Sequence, residues 1–178
     1  MPVTGPFADL RALQRKVARL TTSAFRREMS QAIADEARKQ IDYSFEHSVS
    51  PYDSPWAPLK YRSGKPLVDE GHLRRALTAP QAAVVTEQGF VITTRGFLRA
   101  FDSVRNLATH QYGKTIMAKG RPMRFRVGGS SRANGSQWVS AQQVTVPQRQ
   151  VMPEGMVGSR WGRAFRKAAD AVMAKAVG

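Results

Sequence analysis

The chain has 178 residues, 42% of them hydrophobic, and a net charge of +15, so its length predicts one domain, 1–178, and its charge predicts an anionic neighbour. It contains no cysteine, which excludes disulfides, thiolate metal sites and a cysteine nucleophile. No run approaches the roughly 18 apolar residues of a membrane span, and the N-terminus has no signal-peptide core, so we expect neither secretion by that route nor a membrane partner.

Two helices are predicted within residues 7–46, the helical part of the domain. The first, 7–20, has an apolar residue at every third or fourth position, as an amphipathic helix does. These positions are Leu10, Leu13, Val17 and Leu20. The second, about 24–46, repeats an apolar residue at every fourth position and follows three candidate N-caps at 21–23. It would be roughly 35 Å long, so we expect it to form the spine of the domain.

A proline-rich crossover, residues 54–77, is predicted to connect the helices to a β-rich part. Its prolines fix φ and remove backbone donors, and Trp56 gives it an apolar anchor. Asp69 precedes a short helix, 71–77, as an N-cap would. The run Asp69-Glu70-Gly71-His72 could also suggest acid–base chemistry, but neighbouring side chains of an extended segment point apart. Capping is therefore the favoured interpretation.

The β-rich part, residues 82–158, opens with a predicted hairpin. Residues 82–86 and 90–94 have the composition of short strands, and Gly89 lies in the turn between them. Residues 97–109 carry a weak helical stripe, after which Gly113 is a plausible C-cap.

A basic, glycine-rich segment, residues 114–147, contains a second predicted hairpin. Residues 123–127 alternate apolar and arginine side chains, and 138–146 form the returning strand. The pattern leaves open whether this is an ordinary hairpin with a solvated face or a basic β-arm that reaches another surface. Its arginines are Arg121, Arg124, Arg126 and Arg132.

The chain ends in a predicted amphipathic helix, 160–177. Its basic residues lie off the apolar face: Arg160, Arg163, Arg166 and Lys167. Arm and helix make the second half of the chain strongly basic. Residues 95–178 hold 15 Lys and Arg against three Asp and Glu, a net charge of +12, whereas residues 1–94 carry +3. We expect this half to face DNA, another polyanion or an acidic protein surface.

No pattern typical of catalysis is found, and we predict no catalytic, metal or cofactor site. His47, His72 and His110 are far apart and none has a metal-ligand spacing. The glycine-rich run 128–135 lacks the phosphate-loop pattern. The predicted fold class is α+β, with long N-terminal helices, a small mostly antiparallel sheet that bears an extended basic β-arm, and a C-terminal helix.

Four short motifs follow the helix pair in a fixed order. They are D-S-P-W-A-P-L-K at 53–60, K-P-L-V-D-E-G-H-L-R-R-A-L at 65–77, H-Q-Y-G at 110–113 and V-T-V-P-Q-R-Q-V-M-P at 144–153. Over roughly residues 8–155 this order resembles the phage virion morphogenesis, or tail completion, family of Mu-like and P2-like phages and prophages. The chain departs from the family pattern at Asp53, where glycine is common, at Glu70, and in the late segment, where the family has P-A-R-x-F-L.

The resemblance implies a structural, non-enzymatic protein of the virion neck or tail end, made in the host cytoplasm, that forms a ring, commonly six-fold. Its partners would be further copies of itself, head-closure or connector and tail proteins, and packaged DNA in the channel. The matching positions would serve the fold and its interfaces: Trp56, Leu59, Leu67, Gly71, Leu73, His110, Gly113 and Arg149. Two alternatives stay open, a tail terminator that caps the tail tube and a non-specific DNA-binding protein.

Overall fold

The structure is a computed structural model, and it describes residues 6–60, 64–68, 71–94, 107–127 and 137–177. The two N-terminal helices are α1, Pro6–Leu20, and α2, Ser23–His47, as the spacing of apolar residues predicts. Thr22 caps α2, since its hydroxyl accepts a hydrogen bond from the Phe25 amide at 3.2 Å. The fold class is α+β, as predicted.

The middle of the chain forms short elements. They are α3 at His72–Thr78, a 3₁₀ turn at Pro80–Ala82, the antiparallel strands β1 at Ala83–Thr86 and β2 at Gly89–Ile92, and α4 at Leu107–Tyr112. The capping prediction for α3 is wrong: the N-cap is Gly71, in the left-handed conformation, and Asp69 lies outside the described residues. The helical stripe predicted over 97–109 is helical from Leu107, and residues 95–106 also lie outside the description.

The basic segment forms a long two-stranded ribbon. Its strands are β3 at Lys114–Met117, β4 at Met123–Val127, β5 at Gln137–Ala141 and β6 at Gln143–Val146. β4 pairs antiparallel with β5, as predicted, and β3 continues the ribbon by pairing with β6. The pairing of the two sides of the ribbon is interrupted once. Five residues, 118–122, separate β3 from β4 on one side, whereas Gln142 alone separates β5 from β6 on the other. The Ala118 amide donates to the Gln142 carbonyl at 2.7 Å across this interruption. The described strands thus form three two-stranded sheets, whereas one small sheet was predicted.

The core is built on the middle and C-terminal half of α2. Along one side α2 packs on the C-terminal helix α5, Ser159–Val177, which runs antiparallel to it, and along the other on α3 and the β1–β2 hairpin. The apolar step of four along α2 places Ala37, Ile41 and Phe45 in this core. The residues that complete it come from four other segments: Trp56, Leu73, Leu77, Val151 and Trp161.

Helix α1 does not contribute its apolar stripe to this core. Leu10, Leu13 and Val17 keep 50%, 56% and 52% of their surface exposed. The opposite side of α1, with Ala12 and Arg19, borders the C-terminal end of α5. The amphipathic pattern therefore predicted the helix, while its apolar face points away from the body of the protein.

Gly113 is held in a conformation that only glycine adopts without strain. Its φ is +69°, and a Cβ built on it would lie 3.0 Å from the Gln148 amide and 3.2 Å from the Val146 carbonyl oxygen. We expect Gly113→Ala to lower the free energy of unfolding by about 2 kcal/mol, measured by denaturant titration. Gly120→Ala is the control, because Gly120 has φ +83° but open space around the same position, so it isolates the cost of backbone strain. Equal losses in the two variants would contradict the close approach at Gly113.

Candidate functional site

Three of the motif segments meet at one place, which we call the junction: residues 56–58, 110–113 and 148–152. The indole Nε1–H of Trp56 donates to the Gln150 carbonyl at 2.8 Å. From the late segment, Arg149 donates through Nε to the Ala57 carbonyl at 2.9 Å and through Nη2 to the Pro58 carbonyl at 3.1 Å. The crossover and the late segment, more than 90 residues apart in the chain, are therefore joined in both directions.

Gln111 fastens the third segment to the other two. Its Nε2 donates to the Met152 carbonyl at 2.6 Å, and its Oε1 accepts from the amides of Val151 and Met152 at 2.9 and 3.2 Å. Next to it, the His110 carbonyl accepts from the Arg149 amide at 2.7 Å. The buried carboxamide thus satisfies backbone groups as a neighbouring strand would. Sequence reasoning missed Gln111, although it lies inside the H-Q-Y-G motif.

The motif positions have unequal roles in the structure. Trp56 and Leu73 are buried in the core, and the Trp56 ring meets Phe45 edge to face at 5.6 Å between centroids. Leu67 is half-buried against the core with φ +61°, and Leu59 is also half-buried. His110 and Gly113 bound the junction, and Gly71 is the N-cap of α3. These positions serve the fold.

The prediction that Arg149 faces an interface or DNA is wrong. Only 5% of its surface is exposed, and its guanidinium is committed to the two carbonyls of the crossover. A charge that is used to satisfy buried backbone oxygens is not available to an external polyanion.

Arg160 is likewise a structural residue and not a surface contact. Its Nε donates to the Asp53 carboxylate at 2.7 Å, and its side chain is 16% exposed. Further bonds tie it to α2 and to the turn after α2, through Gln40 Oε1, Ser44 Oγ and the Ser50 carbonyl. Its guanidinium carbon also lies 4.3 Å from the centroid of the Tyr43 ring. The start of α5 is fixed to α2 by this one side chain.

The arginines that remain at the surface lie on α5 and on the ribbon. Arg163 and Arg166 are exposed on the side of α5 opposite the buried Trp161, and Lys167 is exposed at the edge of the cleft between α5 and α2. They form a basic row, separated from the junction by the width of the helix.

On the ribbon, Arg121 and Arg124 are exposed. The guanidinium carbon of Arg124 lies 5.8 Å from the centroid of Trp138, whose ring is 56% exposed. Arg126 is paired with Trp138 in the strand register, and Arg132 lies outside the described residues. Basic and aromatic side chains therefore share one face of the ribbon.

The structure gives no support to the acid–base interpretation of residues 69–72. His72 lies in α3 with its Nδ1 2.7 Å from Arg75 Nη2, and Asp69 and Glu70 are outside the described residues. Within the described ranges, no group of three or more His, Asp or Glu side chains could hold a metal ion. None of the described helices is long and apolar enough to cross a membrane.

Two ion pairs perturb carboxylates on α2. Arg74 donates to both carboxylate oxygens of Asp42, at 2.5 and 2.8 Å, and this hydrogen bonding lowers the pKa of Asp42 and raises that of Arg74. At the other end of α2, the hydrogen bond from Lys175 lowers the pKa of Glu28. These pairs attach α3 and α5 to α2.

The Asp42–Arg74 pair predicts a contribution to acid sensitivity. Because the pKa of Asp42 is lower in the folded state than its ordinary 3.8, its contribution is present at neutral pH and is lost as the pH falls through the folded-state value. The pair is partly exposed, so we expect Asp42→Asn to lower the free energy of unfolding by at most about 1 kcal/mol at pH 7. Between neutral and acid pH, the stability of the variant should fall less steeply than that of the unchanged chain. Denaturant midpoints measured from neutral to acid pH would test this, with Asp170→Asn, an exposed carboxylate of α5, as control. If the stability of Asp42→Asn fell in acid as steeply as that of the unchanged chain, the prediction would be contradicted.

Comparison of the chain with protein-family models, with curated proteins and with solved structures returned no match in any of the three. A proposal about function therefore depends on the motifs of this chain and on the contacts that its residues make. The junction, the exposed faces of the ribbon and the basic row of α5 are the features that bear on it.

Proposed function

We propose that the protein is a structural subunit of a phage virion, placed at the neck or tail end, where it completes the tail and joins it to the DNA-filled head as part of a homo-oligomeric ring. The observation that carries the proposal is the junction. Short motifs that are far apart in the sequence, and whose order resembles that of one family, are in contact in the structure, and each has a structural use. If the resemblance of these motifs were accidental, we would not expect the three segments, 54–56, 110–113 and 147–149, to meet in the folded chain.

One departure from the family pattern has a physical explanation. Asp53 occupies a position where glycine is common, and its φ is +63°, a left-handed conformation that glycine adopts without strain. Aspartate is among the residues that tolerate this conformation, and here its carboxylate gains the ion pair with Arg160. Aspartate at this position therefore adopts a backbone geometry that is also open to glycine.

The ribbon supports a role in assembly. A two-stranded ribbon is marginally stable alone, and the ribbon packs sparsely on the other described elements. Strand alternation puts Met123, Val139 and Ala141 on one face, and Arg124 and Trp138 on the other. An amphipathic ribbon of this kind gains stability when a second protein surface covers its apolar face. We infer that it holds neighbouring subunits.

The experiment combines mass spectrometry of purified particles with the mass of the purified protein in solution. The proposal predicts that the protein is present in mature particles at a small, fixed copy number, and that the isolated chain forms a closed oligomer or orders against its neighbours. A chain that stays monomeric and is absent from particles would overturn it.

A second candidate, non-specific binding to DNA, is favoured by the exposed Arg124–Trp138 pair and the basic row of α5. Binding of this kind would weaken steeply as salt rises, with a slope of about −0.9 per phosphate contact on double-stranded DNA. Replacing Arg163 and Arg166 together by Glu should reduce that slope by about two contacts. Negligible DNA affinity at physiological salt would remove this candidate and leave the structural role standing.

A further inference from the structure

Helix α1 presents a narrow apolar stripe to its surroundings. Leu10, Leu13, Val17 and Leu20 follow steps of three, four and three, which is the spacing of a helix–helix seam. The first three of these side chains are about half exposed, and the opposite side of the helix is the one that borders α5. The stripe is therefore built to meet another helix or a groove between helices.

A groove that fits this stripe lies between α2 and α5. It has a volume of about 610 Å³, and four alanines are among the residues that line it: Ala32, Ala164, Ala168 and Ala171. Its extent along α5, from Ala164 to Lys175, is about 16 Å, and the stripe from Leu10 to Leu20 is about 15 Å long. Large leucines on one surface and small alanines on the other are complementary in shape, as knobs and holes are.

The walls of the groove carry charges of both signs, from Asp35, Glu36 and Lys39 on α2 and from Lys167 and Lys175 on α5. α1 carries four basic side chains and one acidic one, with Arg11 on one flank of the stripe and Asp9 and Lys16 on the other. Asp35 lines the α2 wall with 42% of its side chain exposed, and Lys167 lines the α5 wall. An α1 helix lying in the groove can place Arg11 towards Asp35 and Asp9 towards Lys167.

We propose that α1 of one copy of this chain docks in the α2–α5 groove of a second copy. The two surfaces are different patches of one molecule, so the contact is head-to-tail, and repetition of such a contact closes into a ring when the rotation permits. The inference deepens the proposed function, because it names the contact through which the ring would form. It stands apart from the ribbon, which can clamp the same neighbour from another side.

The test uses two variants of the full chain, each of which damages one half of the contact. Leu13→Glu spoils the stripe and leaves the groove intact, whereas Ala171→Arg blocks the groove and leaves the stripe intact. We expect both variants to be monomeric by sedimentation velocity where the unchanged chain is oligomeric, with unchanged thermal unfolding, since both positions are exposed. A one-to-one mixture should form a dimer that grows no further, because only one intact stripe and one intact groove remain to pair.

Arg163→Glu is the control, an exposed position of α5 that lines neither the groove nor the contact with α1, and it should keep the oligomer. A mixture that stays monomeric would overturn the proposal, since it would mean that the stripe pairs with something other than the groove. An oligomer that survives both variants would overturn this contact while the virion role is decided separately by mass spectrometry of particles. A monomeric unchanged chain would also overturn it.

The absence of cysteine from the chain permits a second measurement. A mixture of Leu13→Cys and Ala168→Cys variants should form a disulfide-linked dimer under mild oxidation. When both changes are in one chain, linked oligomers are expected. Rapid formation of a linked monomer alone would show that α1 folds back on its own groove, and this would overturn docking between copies.

Discussion

Trp56→Ala is expected to be more damaging than the other substitutions considered for this chain. The side chain is 94% buried, its ring meets Phe45 edge to face, and its Nε1–H satisfies the Gln150 carbonyl. Truncating a buried aromatic side chain costs about 3–5 kcal/mol, and here a hydrogen bond between distant segments is lost as well. In thermal unfolding this corresponds to a fall in Tm of about 10 °C or more.

Trp56→Phe separates the two contributions. It keeps most of the buried ring and removes the donor, so we expect a loss of about 1–2 kcal/mol, less than half of that for alanine. Normal incorporation of the Trp56→Ala variant into particles, together with an unchanged Tm, would show that the junction is not needed for the fold.

Arg149→Ala is expected to have the second largest effect. The substitution leaves the carbonyls of Ala57 and Pro58 without their guanidinium donors in a largely enclosed site, at a cost of about 3 kcal/mol. Arg149→Lys should rescue little, because one ammonium group cannot reproduce the two donors of the guanidinium fork. Denaturant titration of the purified variants measures both values.

The matched control is Arg163→Ala, which removes the same side chain from the exposed side of α5. It should change the free energy of unfolding by no more than about 0.5 kcal/mol. If instead Arg163→Ala destabilised the protein and Arg149→Ala did not, the division between structural and surface arginines would be reversed.

The elements that could be predicted from the sequence are those whose pattern is local. The stripe of α2, the β1–β2 hairpin and the strand β4 each depend on neighbours within a few residues, and the structure confirms them, although Gly89 begins β2 and the turn is residues 87–88. The strand β3 was missed because its partner β6 is some 30 residues away, and nothing in the four residues Lys114–Met117 marks them as a strand without it.

The roles of the arginines could not be predicted, for the same reason. Arg149, Arg160 and Arg163 look alike in a sequence rich in basic residues. What separates them is whether carbonyl or carboxylate oxygens from distant segments lie within reach of the guanidinium. Such partners come from the tertiary fold, so a count of charge overstated the basic surface by including two structural side chains.

The apolar spacing of α1 predicted the helix correctly but did not predict that its apolar stripe would be exposed. Apolar spacing predicts that a helix will bury one face, but it does not say against which molecule. Leu10, Leu13 and Val17 face outwards, and they form the surface that the proposed docking contact would cover.

The central claim, that this chain is a ring subunit at the neck or tail end of a phage virion, is tested most directly by imaging intact particles that carry a labelled copy of the protein. We expect label at one position per particle, at the head–tail boundary or the end of the tail, with a symmetric ring of copies on averaging. Label along the whole tail, on the head shell, or on no particle would contradict the claim.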